Sequence, residues 1–165
     1  MNVRKTAETA LLIALTVVVG ILVRIPIGNG IFTLVDLMIY VLAFAFGKKR
    51  GLVIGGLSGL LIDLLTGYFQ YALFSLVIHS LQGYVAGALN EKRKVLGRVF
   101  GVFIGTLIMI GGYFLADMVL FTTKAALADM LTTNIWQGIL GSVGGLILYP
   151  MLKPVFQQRF TNDGG

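Results

Sequence analysis

"YVLAFAFGKKRGLVIGGLSG", residues 40–59, sets Lys48-Lys49-Arg50 between two runs without a charged side chain for ten residues on either side. Three adjacent cations do not stay in hydrocarbon, so the runs Leu34–Phe46 and Gly51–Thr66 read as two helical segments joined by a turn in water. Each run is shorter than the ~20 residues of a perpendicular membrane span. A single re-entrant hairpin is the alternative, and the cations favour a true turn into the cytoplasm.

The composition carries that reading to the whole chain. Of 165 residues, 57% are hydrophobic and 12% charged, whereas a soluble domain carries about a quarter charged residues. So apolar a chain cannot hide its surface in one core. The expected class is an all-α membrane protein, because the apolar runs are continuous rather than alternating as in a β-barrel. Four further runs are Thr6–Val23, Tyr71–Leu89, Val99–Phe121 and Leu131–Leu152, giving a six-transmembrane-helix bundle. Arg4-Lys5 precede the first run as in a signal peptide, but no small-residue cleavage site follows, so it counts as a span.

With the N-terminus inside, cytoplasmic segments hold Arg4, Lys5, Lys48, Lys49, Arg50, Lys92, Arg93, Lys94, Arg98, Lys153 and Arg159, and the outer loops only Arg24 and Lys124. That asymmetry is the positive-inside pattern, and changing the span count by one would destroy it. Both termini are therefore expected in the cytoplasm. The net charge of +6 belongs to this asymmetry and not to nucleic acid. Residues 1–160 read as a single transmembrane domain and 161–165, "TNDGG", as a polar tail.

Small residues recur at helical spacing in most spans, the pattern by which membrane helices pack. Polar side chains among them are costly in hydrocarbon and normally face the interior or a wet cavity. Asp63 lies near the outer end of the third span. His79, the only histidine, lies eight residues into the fourth, about 12 Å deep at 1.5 Å per residue. Asp117 lies near the outer end of the fifth span, Asn134, Trp136 and Gln137 open the sixth, and Asp36 and Tyr40 open the second. Inner halves carry mainly glycine and aliphatics, so the polar set reads as a pocket open to the outside and not a through-pathway. Plainer roles exist for each. Asp36 suits a helix N-cap, Trp136, Tyr68, Tyr71 and Tyr113 suit an interfacial belt, and Asp63 and Asp117 suit pairing with Arg24 or Lys124. Gln82, deeper than His79, suits interhelical bonding.

The first outer loop, "RIPIGNGIFT" at 24–33, is barred from regular helix by Pro26, Gly28 and Gly30, yet is too apolar for free solvation. It is expected to fold over the bundle mouth as a lid bearing Ile25, Pro26, Asn29 and Phe32. No G-x-x-x-x-G-K-[ST] loop occurs, so the chain does not bind ATP in the P-loop manner. One histidine without cysteines makes no H-E-x-x-H or thiolate metal site. Asp63 and His79 suit an acid/base pair, but no reaction is specified.

In this setting the chain resembles the substrate-binding S components of energy-coupling factor vitamin transporters. The resemblance covers essentially the whole chain: six spans, both ends inside, the loop "RIPIGNGIFTLVD" at 24–36, and "TAETALLIAL" at 6–15, where Ala10 and Ala14 match the family's A-x-x-x-A contact motif. It implies a non-enzymatic subunit whose alanine face docks a transmembrane coupling protein (the T component) driven by two cytoplasmic ATPases, so this chain needs no cofactor and its partners use the ATP. It also implies a vitamin pocket near the outer face, under the first loop. The proposed pocket set is Asp63, His79, Asp117, Asn134, Gln137, Tyr40 and Trp136. Thiamin-binding members use several tryptophans, and this chain has only Trp136. The sequence is most similar to members assigned to hydroxymethylpyrimidine or pyridoxine, within the riboflavin-type grouping. Riboflavin is the alternative ligand, and a stand-alone facilitator or channel the alternative function.

Overall fold

A computed structural model describes residues 3–160; the polar tail at 161–165 lies outside the described residues. The chain runs α1 (Val3–Leu22), a hairpin of β1 (Arg24–Ile27) and β2 (Gly30–Thr33), α2 (Val35–Thr66), α3 (Ala72–Leu120), α4 (Thr123–Asp129), a π turn (Met130–Asn134) and α5 (Ile135–Phe160). Among the described residues, three helical stretches are long and apolar enough to cross a membrane: Val3–Leu22, Ala72–Leu120 and Thr123–Arg159, the last running through α4, the π turn and α5.

Two helices, α2 and α3, are hairpins in themselves. In α2, Gly47 has φ +81 and ψ 177, a conformation essentially reserved for glycine. A Cβ placed on Gly55 would lie 3.5 Å from Ile39 Cγ2, although a straight helix separates residues sixteen apart by ~24 Å. The chain therefore reverses at Gly47, beside Lys48-Lys49-Arg50. In α3 the break is at Lys94, with φ +48 and ψ −115. Tyr113 and Ser75, 38 residues apart, share a hydrogen bond at 2.7 Å. The helical segments are thus 3–22, 35–46, 48–66, 72–93, 95–120 and 135–160, matching the six apolar runs.

Segment 35–46 runs through the centre. Ile39, Tyr40, Val41, Leu42 and Ala43 are all fully buried, as expected of a helix apolar all round. Leu12, Ile13 and Val17 of α1 pack on one side with Ile39, Leu42, Ile54 and Ile62. Phe44, Ala86, Val102 and Tyr149 pack on the other. Segments 48–66 and 72–93 approach so closely that a Cβ on Gly51 would meet the Gly83 carbonyl oxygen at 2.6 Å, the close approach that small residues permit in membrane bundles.

Contacts gather the basic turns at one end of the bundle. Arg50 pairs with Glu8 at 2.8 Å, Lys48 pairs with Glu91 at 3.2 Å, and the Arg98 guanidinium lies 5.0 Å from the Tyr149 ring centroid. Glu91 also accepts the Lys48 backbone N–H at 2.9 Å, tying the two reversals together. The β-hairpin, the 67–71 turn and α4 lie at the opposite end.

The loop barred from regular helix is an antiparallel hairpin, with Ile25 opposite Phe32 and Ile27 opposite Gly30. The β-branched Ile25, Ile27, Ile31 and Thr33 favour extended backbone. Gly28, at φ +59, supplies the left-handed residue of a two-residue turn.

Candidate functional site

At the hairpin end a cavity of about 510 Å³, open mouth included, is lined by β2, both halves of α2, both halves of α3, α4, the π turn and α5. Of the residues proposed from the sequence, Asp63, His79, Asp117, Asn134 and Gln137 line it.

Two expected wall residues do not. Tyr40 is fully buried and sits deeper, its hydroxyl 2.7 Å from Thr106 Oγ1 and donating to the Val102 carbonyl at 3.2 Å. Position 40 is about a turn below the mouth, among side chains that already satisfy it. Trp136 is 57% exposed. At ~100° per residue it points well away from Asn134 and Gln137, its neighbours on the cavity face. Ile25 and Pro26 are exposed, and Asn29 is half-buried at the turn. Phe32 is buried but is not in the wall, which is made by Gly30, Ile31 and Thr33. The first strand is the outer edge of the hairpin and the second lies against the bundle.

Hydroxyls and amides hold the buried polar groups. Asp63 Oδ2 lies 2.5 Å from Ser75 Oγ, which lies 2.7 Å from the Tyr113 hydroxyl. That hydroxyl is 3.0 Å from His79 Nε2. On its other side His79 Nδ1 is 2.7 Å from Gln82 Oε1, and Gln82 Nε2 donates to Asp36 Oδ1 at 2.5 Å. Gln82 is thus the interhelical bridge its depth suggested. Asp36, expected as an N-cap, makes no cap bond; the N-cap position of α2 is Leu34, which has no side-chain cap, and the Asp36 carboxylate is turned inward to Gln82.

Proton counting restricts this row. With the Gln82 amide so oriented, His79 Nδ1 must carry a hydrogen. Ser75 and Tyr113 have one hydroxyl proton each and must pass them in the same direction. Either Asp63 is protonated and His79 neutral, or Asp63 is ionised and His79 is an imidazolium. Both arrangements leave the pair neutral, which suits a site with no lysine or arginine in its wall.

Around the rest of the rim, Tyr71 donates to Asp117 Oδ1 at 2.5 Å. Gln137 Oε1 accepts the Thr33 N–H at 2.7 Å, holding the base of β2. Asp129 Oδ1 accepts the Asn29 N–H at 3.4 Å, while its Oδ2 is buried with no partner. The Tyr71 and Tyr113 rings, with centroids 6.2 Å apart and planes at 59°, give the cavity its aromatic surface.

Sequence reasoning missed four of these groups. Tyr71 and Tyr113 have an equally good reading as interfacial belt. Asp129 precedes the run marked as the last span and Thr133 lies near its start, but Asp129, Thr133, Asn134 and Gln137 recur at i, i+4, i+5 and i+8. That polar stripe, extended one turn before the apolar run, would have found them. The π turn at Met130–Asn134 fits the habit of such turns to occur at functional sites.

Residues 1–154 match the family described as "ECF-type riboflavin transporter, S component". The thiamine precursor transporter HmpT of Lactococcus lactis subsp. cremoris is 37% identical over 166 residues, covering 99% of this chain and 93% of that protein. An uncharacterized protein of Pyrococcus woesei is 32% identical over 145 residues, covering 86% of this chain and 94% of its own.

Proposed function

The chain belongs to the family of ECF-type riboflavin transporter S components, and from that membership we propose that it is the substrate-binding membrane subunit of an ATP-driven importer for a thiamine precursor. The ligand of this reading is a hydroxymethylated aminopyrimidine. The chain crosses the membrane six times with both termini cytoplasmic, and the cavity faces outward beneath the hairpin. A transmembrane coupling protein and two ATPases supply the force. Family and relative are transport proteins and not enzymes, so the Asp63 and His79 pairing serves recognition.

One observation carries the ligand class. The cavity wall presents the carboxylates Asp63, Asp117 and Asp129 with His79, Asn134 and Gln137, and no lysine or arginine. A small flat ring bearing an amino group, ring nitrogens and a hydroxymethyl group matches that set, its N–H and O–H donors facing carboxylates and its ring nitrogens facing hydroxyl or amide donors. Similarity to a protein named for a thiamine precursor favours the pyrimidine over pyridoxine, the second reading, and over riboflavin. The gathering of basic turns at the end away from the cavity supports the orientation.

The test is to purify the chain from cells, identify co-purifying small molecules by mass spectrometry, and titrate 4-amino-5-hydroxymethyl-2-methylpyrimidine by calorimetry. Saturable one-to-one binding that outcompetes pyridoxine and riboflavin is expected. Recovery of riboflavin, with no heat from the pyrimidine, would sink this ligand reading.

A further inference from the structure

We propose that Asp129 recognises ligand and lid together: its Oδ1 holds the tip of the hairpin, and its Oδ2 accepts a hydrogen bond from the bound molecule. For the identity of that molecule the inference rests on the thiamine-precursor reading.

Asp129 ends α4, lines the cavity and is 4% exposed. Oδ1 accepts the Asn29 N–H at 3.4 Å. Gly28 presses against the same oxygen, since a Cβ there would collide with Oδ1, and its φ of +59 already favours glycine. The turn is thus seated on the carboxylate. Gln137 holds the base of β2 separately through the Thr33 N–H, so Asp129 governs the tip alone. Its second oxygen, Oδ2, is buried without a hydrogen-bond partner. Leaving a buried carboxylate oxygen dry is costly, more so than for a neutral acceptor. A donor belongs beside it, and the cavity is where one arrives. An amino group on a heterocycle satisfies Oδ2 while Oδ1 keeps the turn, so occupancy and lid closure stabilise one another. A phosphate ester would meet this carboxylate with like charge, which makes Asp129 a specificity residue against phosphorylated forms.

Two variants separate the two roles. Asp129→Asn keeps an oxygen for the Asn29 N–H but puts an N–H₂ where the acceptor was. Asp129→Ala removes both. Hydrogen exchange of the 24–33 segment and calorimetry with 4-amino-5-hydroxymethyl-2-methylpyrimidine are measured on the full chain in lipid nanodiscs. In Asp129→Ala the hairpin tip is expected to exchange faster without ligand. In Asp129→Asn tip exchange stays at the wild-type rate while binding weakens about tenfold or more. Wild-type affinity in Asp129→Asn, or unchanged tip exchange in Asp129→Ala, overturns the assignment. If the wild-type chain itself does not bind the pyrimidine, the ligand reading fails, and the exchange arm still decides whether Asp129 holds the lid.

Discussion

A buried row of hydroxyls behaves as a unit because each proton position fixes the next. Ser75 and Tyr113 have no other route between Asp63 and His79, so removing either hydroxyl breaks the same chain of donors. Among the described residues, Ser75→Ala takes away the hydrogen-bond partner of Asp63 Oδ2, and Tyr113→Phe takes away that of His79 Nε2. Each single change is expected to cost about 1–3 kcal/mol in thermal or chemical unfolding and to weaken ligand binding. The double variant should cost less than the sum, with a coupling of at least ~0.5 kcal/mol. Additive losses would show that the hydroxyls act independently and that the proton count does not govern the site. Half of the row was legible in the sequence. His79 and Gln82 sit in an apolar run where each must find a partner, so their presence signals an interior face. Tyr113 gave no such signal, since a tyrosine near a span end satisfies its hydroxyl equally well at the interface. The identity of the groups that join two polar residues depends on which helices touch, and no single sequence states that.

Among the elements, the reversals were legible and the fine orientations were not. Lys48-Lys49-Arg50 required a turn because charge in hydrocarbon is a large and unambiguous cost, and the chain does reverse there. The hairpin at 24–33 was hidden, because four-residue strands leave too short a pattern beside Pro26 and two glycines. Tyr40 and Trp136 were misplaced for a related reason: distance from the span end sets depth, whereas only helix rotation, which neighbours fix, sets direction. Gly47 permits a direct test. Its backbone lies where a side chain is strained, and a Cβ would stand 2.6 Å from Glu91 Oε1, the group that caps the next segment. Gly47→Ala is expected to destabilise by about 1–3 kcal/mol, read as a fall in melting temperature in detergent. Gly111, helical and with nothing within 4 Å of a built Cβ, is the control. Gly111→Ala should be neutral or stabilise by up to ~1 kcal/mol through lost chain entropy. Equal effects at the two sites would remove Gly47 from its role as the pivot.

At the scale of the whole molecule, the first turns of α1, where Glu8 pairs with Arg50, lie at the end away from the cavity, while its last turns reach Val35 and Ile62 in the cavity wall. Its inner face, Thr9, Leu12, Ile13, Thr16, Val17 and Gly20, is buried. Ala10 and Ala14 are exposed, among Leu11, Leu15 and Val18, which are 64%, 47% and 52% exposed. Small residues four apart are ambiguous in a sequence, since they serve packing within a chain as well as packing between chains. Here both alanines are exposed and so lie outside the packing of the bundle itself, which leaves the strip open for the docking role that the family resemblance implies. Filling that strip with Ala10→Leu and Ala14→Leu adds bulk outside the bundle and touches neither the core nor the cavity. The double variant should therefore fold, keep its melting temperature to within a few degrees, and bind ligand as the parent does. It should fail to co-purify with the coupling protein and the ATPases, and uptake in cells should be lost with it. Retained assembly would move the docking surface elsewhere on the bundle. Lost ligand binding would mean that α1 is coupled to the cavity across the core, through the contacts of Leu12, Ile13 and Val17 with Ile39 and Ile62. Intact binding with lost assembly would separate docking from binding, as the proposed function requires of a subunit that holds its ligand at one place and meets its partners at another.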